Sequence, residues 1–550
     1  MAWSARVSIA LIALSVGMAS SASAAAAATT AGGVDALAFS DDGLATAIWG
    51  GNFLAVGGSH GTFTPPRALL PLAGDGYVEV AAAAAGKQSV LAAEPFIPSN
   101  GEYSSTGVYF GSSTSSGRAN LTRILAPHTS PISPVLATSP AGDALVGWNA
   151  GPRVAVDLRR PQGKLRPPIV AGRFNLQDAA IDGHGSVTVI GYRDPAQIFF
   201  ASAPRGGRFG TARPLPASPL LARVASGAAG QTAIVSKSSA GVQFLYRPRL
   251  GAPFRTSVVI AGSSAQGIVA VDVDSHGRVL AVWTEVEANM RYRLRAMLTD
   301  SSGNPTPPFW ISPADRDLSY GNAAAAMNAN GDAAFVWEQV TPASSAAPAG
   351  PPTIYAALRP AAAELGSAQL ITPPGRQSAI TTPPTVAVAP NGAATLLWSD
   401  ATDMDGSDRR FMAARLTNGG LTDVTRLDST APEPAPLPLT PPLLTALLRV
   451  AREQRVSTAT GRFALSLACR SWTLQRCVGT VAVVRTDTGR EVARKTISVR
   501  PNSAAQVPLR LSKTARRTLA RRHKLSARVV VTLTGHATSG AKAPITLRPR

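Results

Sequence analysis

A glycine followed six residues later by a tryptophan recurs along the chain, and it limits the possible folds more than any other feature. In Gly267 to Val286, GIVAVDVDSHGRVLAVWTEV, an apolar run (Val269, Val271, Val273) enters a turn at Asp274-Ser275-His276-Gly277, and a second apolar run ends on Trp283. Aligned on the turn glycine there are eight copies, at Gly43, Gly86, Gly142, Gly185, Gly230, Gly277, Gly331 and Gly392. Trp49, Trp148, Trp283, Trp337 and Trp398 stand six residues on, so five of the eight tryptophans share one repeat position. Copies two, four and five carry Ala92, Gly191 and Ser236 there, with Tyr192 beside Gly191.

Each copy continues with a third apolar run, such as Tyr292–Met297 or Ile354–Leu358, then a turn, then a short fourth run such as Ala368–Ile371. No amphipathic helical period intervenes, so each copy reads as four strands. From Val34 to Asp428 the copies average 49 residues. Four-stranded units of about 40–50 residues point to the blades of a β-propeller. Second strands such as Leu280-Ala281-Val282 are apolar on both faces, as strands packed between neighbouring blades must be. The expected fold is therefore all-β, an eight-bladed propeller, with seven blades as the alternative because copies two and five lack the tryptophan. The repeated tryptophans read as blade packing in preference to sugar-stacking platforms.

Residues 1–24 read as a secretory signal peptide, with Arg6, an apolar run from Val7 to Met18, and Ala22-Ser23-Ala24 as the cleavage site. The run is too short to span a bilayer, and no later stretch reaches the roughly 20 apolar residues required. An uncut membrane anchor is the competing reading. The expected location is secreted or extracellular, in association with a cell wall. The propeller is expected over residues 25–430. Six prolines in Ala431 to Pro442 make a stiff linker. Residues 443–550 then show strand-like runs at Phe463–Leu467, Val478–Val484, Val492–Val499, Gln506–Leu511, Ala527–Leu533 and Pro544–Leu547, with one short helix over Lys513–His523. That is the pattern of a small immunoglobulin-like β-sandwich. Both cysteines, Cys469 and Cys477, lie here, and in an exported chain they read as a disulfide.

Charge is segregated. From Pro441 onward there are 22 Lys+Arg and 3 Asp+Glu, against 31 and 29 before it. The excess concentrates at Arg516, Arg517, Arg521, Arg522 and Lys524, a patch suited to an anionic envelope polymer, acidic glycan or headgroup. A solvated basic surface with no ligand is the bland reading. No aromatic residues interleave with these charges, and no nucleic-acid module is present, which argues against specific nucleic-acid recognition.

Candidate chemistry falls on the loops after the repeat tryptophan, which share a face with the blade-to-blade connections. They carry Asn149, Asp194, Glu285, Glu338 and Asp400, and three of them read as long: Ala93–Thr106, Gln339–Pro352 and Ser399–Arg409. Long loops on a rigid scaffold are where binding sites collect. Asp403, Asp405 and Asp408 flank Gly406 and form a possible calcium site, hard oxygens around a tight turn. The loop lacks the twelfth-position glutamate and flanking helices of an EF-hand, so a plain acidic turn competes. No other cofactor is expected. Gly57-Gly58-Ser59-His60-Gly61 fits a nucleophile-elbow pattern but lies in a hairpin turn, which excludes that chemistry. His60, His184 and His276 sit in turns of different copies, without metal spacing.

The unit V-A-V-x-x-x-G-x-x-x-x-x-W, followed by strands such as Ile354–Arg359 and Gln369-Leu-Ile-Thr, resembles secreted propeller-type repeat proteins of GC-rich bacteria, and more distantly the TolB/WD40-like repeats, to which Pro390-Asn391-Gly392 is similar. The Trp-Asp dipeptide of WD40 units is missing. The tail, with Cys469, Cys477-Val-Gly479 and Leu511-Ser-Lys-x-Ala-Arg-Arg, looks like the small C-terminal sandwich domains of such exported proteins. The resemblance implies binding or scaffolding of a glycan, wall polymer or protein. An extracellular glycan hydrolase or lyase with its site at the channel mouth is the alternative.

Overall fold

The computed structural model describes strands Met18–Ser20 and Ala27–Thr29 and then residues 36–549 outside certain loops. Those loops are 41–43, 50–52, 58–62, 71–76, 86–87, 100–101, 106, 125–133, 140, 151–152, 160–167, 195–196, 216–220, 256, 288–290, 315–316, 341–349, 379–382, 403–408, 430–443, 450–452, 472–475, 501–502 and 534–541.

Between Ala36 and Arg426 the strands form eight antiparallel sheets, six of four strands and two of five. Each sheet is built from one contiguous repeat; the four-stranded sheets pair their strands in chain order, and each five-stranded sheet adds a short strand beside that path. In the sixth, Ala265–Val273 pairs with Val279–Val286, which pairs with Tyr292–Leu298, which pairs with Phe309–Trp310. The inner strand of every sheet, its first in chain order except in the eighth, lies against the inner strand of the next. Thr385–Val388 of the eighth lies against Ala36–Phe39 of the first, so the series closes on itself. The fold is a β-propeller.

The turn glycines explain why the first two strands can double back so tightly. Gly142, Gly185, Gly230, Gly277, Gly331 and Gly392 all take positive φ, between 77° and 91°. Only glycine adopts that backbone without steric cost. The expected tryptophan role also holds: Trp49, Trp148, Trp283, Trp337 and Trp398 are all at most 1% exposed and belong to cores shared with a neighbouring sheet. Copy four shows how the position is filled without tryptophan. A β-carbon at Gly191 would lie 2.7 Å from the Phe174 ring, so Phe174 occupies the space that indole takes elsewhere.

One loop expectation is corrected. Ala93–Thr106 is not an open loop. Strand two of the second sheet runs from Gln88 to Ser99, and Glu102–Ser105 turns back to pair with its end. Phe96–Ser99 and Glu102–Ser105 pair residue for residue, and this hairpin satisfies backbone groups that an open loop would leave to water.

After the propeller, Leu444–Arg449, Arg462–Ser471 and Ala504–Arg510 make a three-stranded sheet. Glu453–Val456, Lys542–Pro549, Leu525–Leu533, Cys477–Arg485 and Glu491–Val499 make a five-stranded one. They share an apolar core drawn only from Val456 to Leu547, including Leu467, Val483, Val529 and Leu547. Cys469 and Cys477 are disulfide-bonded and buried, joining a strand of one sheet to a strand of the other. The helix runs Lys513–Arg522. Ser512 caps its start, its Oγ accepting from the Ala515 N–H at 3.2 Å, and His523 ends it at φ 50°.

Candidate ligand face and basic tail

The residues just past the repeat tryptophan lie at the ends of second strands, where the chain turns into the third strand of the same sheet. Four of the five, Asn149, Glu285, Glu338 and Asp400, use side-chain atoms within the fold. The half-buried Asn149 accepts from the Leu176 N–H at 2.8 Å, tying the third sheet to the fourth. Glu285 accepts from the Trp283 indole N–H at 3.1 Å and from Ser264 Oγ at 3.1 Å, and it pairs with Arg295 at 3.0 Å. Burial alone would raise its pKa, but these donors together hold the carboxyl below its ordinary value. Glu338 is fully buried and accepts from Ser378 Oγ of the next sheet. Asp400 is also fully buried, between Arg376 and Arg410, the latter at 2.9 Å. Asp194 ends strand Val187–Asp194 opposite Gln197. Asn149, Glu285, Glu338 and Asp400 thus fix the roots of the loops, each bonded to different partners. Asp403, Asp405 and Asp408 lie outside the described residues, as does the stretch 341–349 of a second long loop.

Two features of the ring escaped the sequence reading. Three residues before the turn glycine, Asp182, Asp274 and Asn328 each accept two backbone N–H groups of their own turn. Asp274 Oδ1, for example, takes those of His276 and Arg278, both at 2.9 Å. Such side-chain caps are the reason these residue types favour turns. The second feature is a pair of acids on inner strands. Asp178 Oδ2 accepts from the Val224 N–H of the fifth sheet at 2.9 Å, and Asp272 Oδ2 from the Met327 N–H of the seventh at 3.0 Å. Burial pushes the Asp178 carboxyl up to about 7, although Arg223 and two backbone donors oppose the shift. Burial likewise raises Asp272 well above the ordinary range. The signal was available: at five residues before the glycine, seven copies have alanine (Ala38, Ala81, Ala137, Ala180, Ala225, Ala326, Ala387) and one has Asp272.

On the opposite face, a cavity of about 340 Å³ opens between the seventh and eighth sheets, lined by Asp332, Leu358, Asn391, Arg415 and Asn418 among others.

In the tail, the predicted patch divides. Arg516 is half-buried and donates to the Ala459 carbonyl at 2.7 Å, so it braces a turn. Arg517, Arg521, Arg522 and Lys524 are exposed. All three acids of the tail are matched to an arginine: Glu453 to Arg548, Asp487 to Arg485 and Glu491 to Arg494.

No known protein family and no curated protein matches the chain. Among solved structures it is similar to the β-propeller domain of the Trilobed protease from Pyrococcus furiosus, at 10% identity and TM-score 0.38, over 62% of this chain and 96% of that one. It is similar to prolyl oligopeptidase B from Galerina marginata at 11% identity and TM-score 0.39, over 67% of this chain and 55% of that one. A third is the polysaccharide lyase Uly1, at 10% identity and TM-score 0.35, over 67% of this chain and 88% of that one. Resemblances of this depth say nothing of activity.

Proposed function

We propose that the protein is an exported, non-catalytic binding or scaffold protein. The propeller presents a rigid face to an extracellular glycan, wall polymer or protein, and the basic tail, a small sandwich of immunoglobulin-like type, associates with an anionic envelope. The observation that carries this reading is the segregation of charge. The tail holds 22 basic residues against 3 acidic ones, and each of those acids is already paired within the tail. A surface so unbalanced draws polyanions by plain electrostatics. Export is supported by the buried disulfide, a bond that persists in oxidising compartments, and by the signal-like N-terminus. On the propeller, Glu285, Glu338 and Asp400 are spent on holding strand ends, which favours a preformed binding surface over a pair of working carboxylates.

Co-sedimentation with purified envelope polymer tests the reading. The full chain is expected to pellet with it, and the chain ending before Leu443 to remain in solution. Equal pelleting of both would refute the role given to the tail.

A further inference from the structure

The exposed side of the tail helix is arranged as a line of positive charge. Ala515 and Leu519 are buried in the sandwich core. At 100° per residue, Lys513, Arg517 and Arg521 project from the side directly opposite, all exposed. Successive members are four residues apart, so the charges rise in steps of about 6 Å along a line about 12 Å long. Lys524 follows just past the helix end and is also exposed.

This arrangement works against the helix. Lys513–Arg517 and Arg517–Arg521 are like-charge pairs at i,i+4, and such pairs destabilise. The first turn carries no acid, and Lys513 there opposes the helix dipole. Next to the helix, Arg462 lies directly across the strand ladder from Arg510, a second unfavourable juxtaposition. The three acids of the tail are each paired with another arginine, so no acid of the tail serves as counter-charge to the line. An exposed row left so unbalanced within the tail favours an anionic partner.

We infer that Lys513, Arg517, Arg521 and Lys524 form a docking line for a linear phosphodiester polyanion. This rests on the role given to the tail above and narrows it to one surface and one chemistry. A row of single charges about 6 Å apart matches an extended chain with one phosphate per repeat of similar length. A bilayer surface fits less well. Membrane-lying helices insert large apolar side chains, whereas here Leu519 is committed to the core and the exposed side otherwise shows Thr514 and Ala520. Arg516 is excluded because its guanidinium holds the Ala459 carbonyl.

The test measures binding of poly(glycerol phosphate) to the full chain across a salt series. The line variant Lys513→Gln, Arg517→Gln, Arg521→Gln is compared with Lys495→Gln, Arg500→Gln, Arg528→Gln, which removes the same charge from exposed positions elsewhere on the tail. Each phosphate contact contributes about −0.7 to the slope of log affinity against log salt. The line variant is expected to lose at least about ten-fold in affinity at low salt and to flatten that slope by about 2. The second variant should change little, and the line variant's melting temperature should hold or rise, because glutamine removes the repulsion without weakening the helix. Equal losses in both variants would overturn the docking line while leaving a diffusely basic tail. No binding by the unaltered chain would overturn both. Line-dependent binding to phosphatidylglycerol vesicles, with none to the polymer, would also refute the inference.

Discussion

The five repeat tryptophans occupy equivalent places, yet their indole nitrogens do not share one fate. Trp283 Nε1 donates to Glu285 and Trp337 Nε1 to Gln339 at 2.8 Å, an acceptor two residues on in each case. Trp398 has Asp400 at that spacing, but the shorter carboxylate serves Arg376 and Arg410 instead, and Trp398 Nε1 has no partner among the described residues. A buried donor left unpaired carries its full desolvation cost. Trp283→Phe and Trp398→Phe remove similar volume, but only the first breaks a hydrogen bond. Trp283→Phe should therefore be the more destabilising by about 1–2 kcal/mol in chemical denaturation. The tryptophan core was legible because one residue type recurs at one spacing. The acids after it were read as surface groups, since sequence records that a residue follows a strand and not that a neighbouring sheet closes over it.

Asp178 and Asp272 set a pH dependence at the same scale. Their carboxyls are raised in the fold from 3.8, Asp178 to about 7, so the folded state binds more protons than the unfolded one in between. For Asp178 the stability tied to the protonated form is whole below about pH 4 and is lost as pH rises through about 7, and for Asp272 it likewise declines as pH climbs above about 4. Asp272→Asn keeps an acceptor for the Met327 N–H and cannot ionise. The melting temperature of this variant should fall less between pH 5 and pH 8 than that of the unaltered chain. A parallel fall in both would mean that the Asp272 carboxyl is not raised in the fold.

Among elements, strand identity was the most readable, since runs apolar on both faces between glycine turns have few other fates. Copies two and five were harder to place because Ala92 and Ser236 replace the marker, yet copy five forms the common four-stranded sheet and copy two the same path with Glu102–Ser105 added. In the tail the helix was anticipated to within one residue, with His523 serving as its cap. The strand order of the two sheets was not anticipated, because pairing between distant strands leaves no local pattern. The disulfide joins those sheets across a short separation of 8 residues. Cys469→Ser with Cys477→Ser should cost the tail about 2–4 kcal/mol, read by following unfolding of residues 443–550 within the full chain by hydrogen exchange. The propeller, whose cores include no tail residue, should keep its protection.

At the scale of the whole molecule, each sheet is drawn from its own repeat, and the first and last meet without exchanging a strand. What holds that seam is apolar packing: Ala387, Ala389, Leu397, Ala413 and Leu427 of the eighth repeat share a core with Leu37, Trp49 and Leu54 of the first. No single blade could bury both its faces alone, so closure is what allows eight thin sheets to be stable. Distances between the exposed turn tips of one face test closure directly. Spin labels at Ala141→Cys paired in turn with His184→Cys, Ala229→Cys, His276→Cys, Asn330→Cys and Asn391→Cys sample the third to eighth sheets. In a closed ring of eight, the distance from Ala141 grows to a maximum at Asn330, four sheets away, and is shorter again at Asn391. A distance that goes on increasing from Asn330 to Asn391 would show an open array and contradict the propeller.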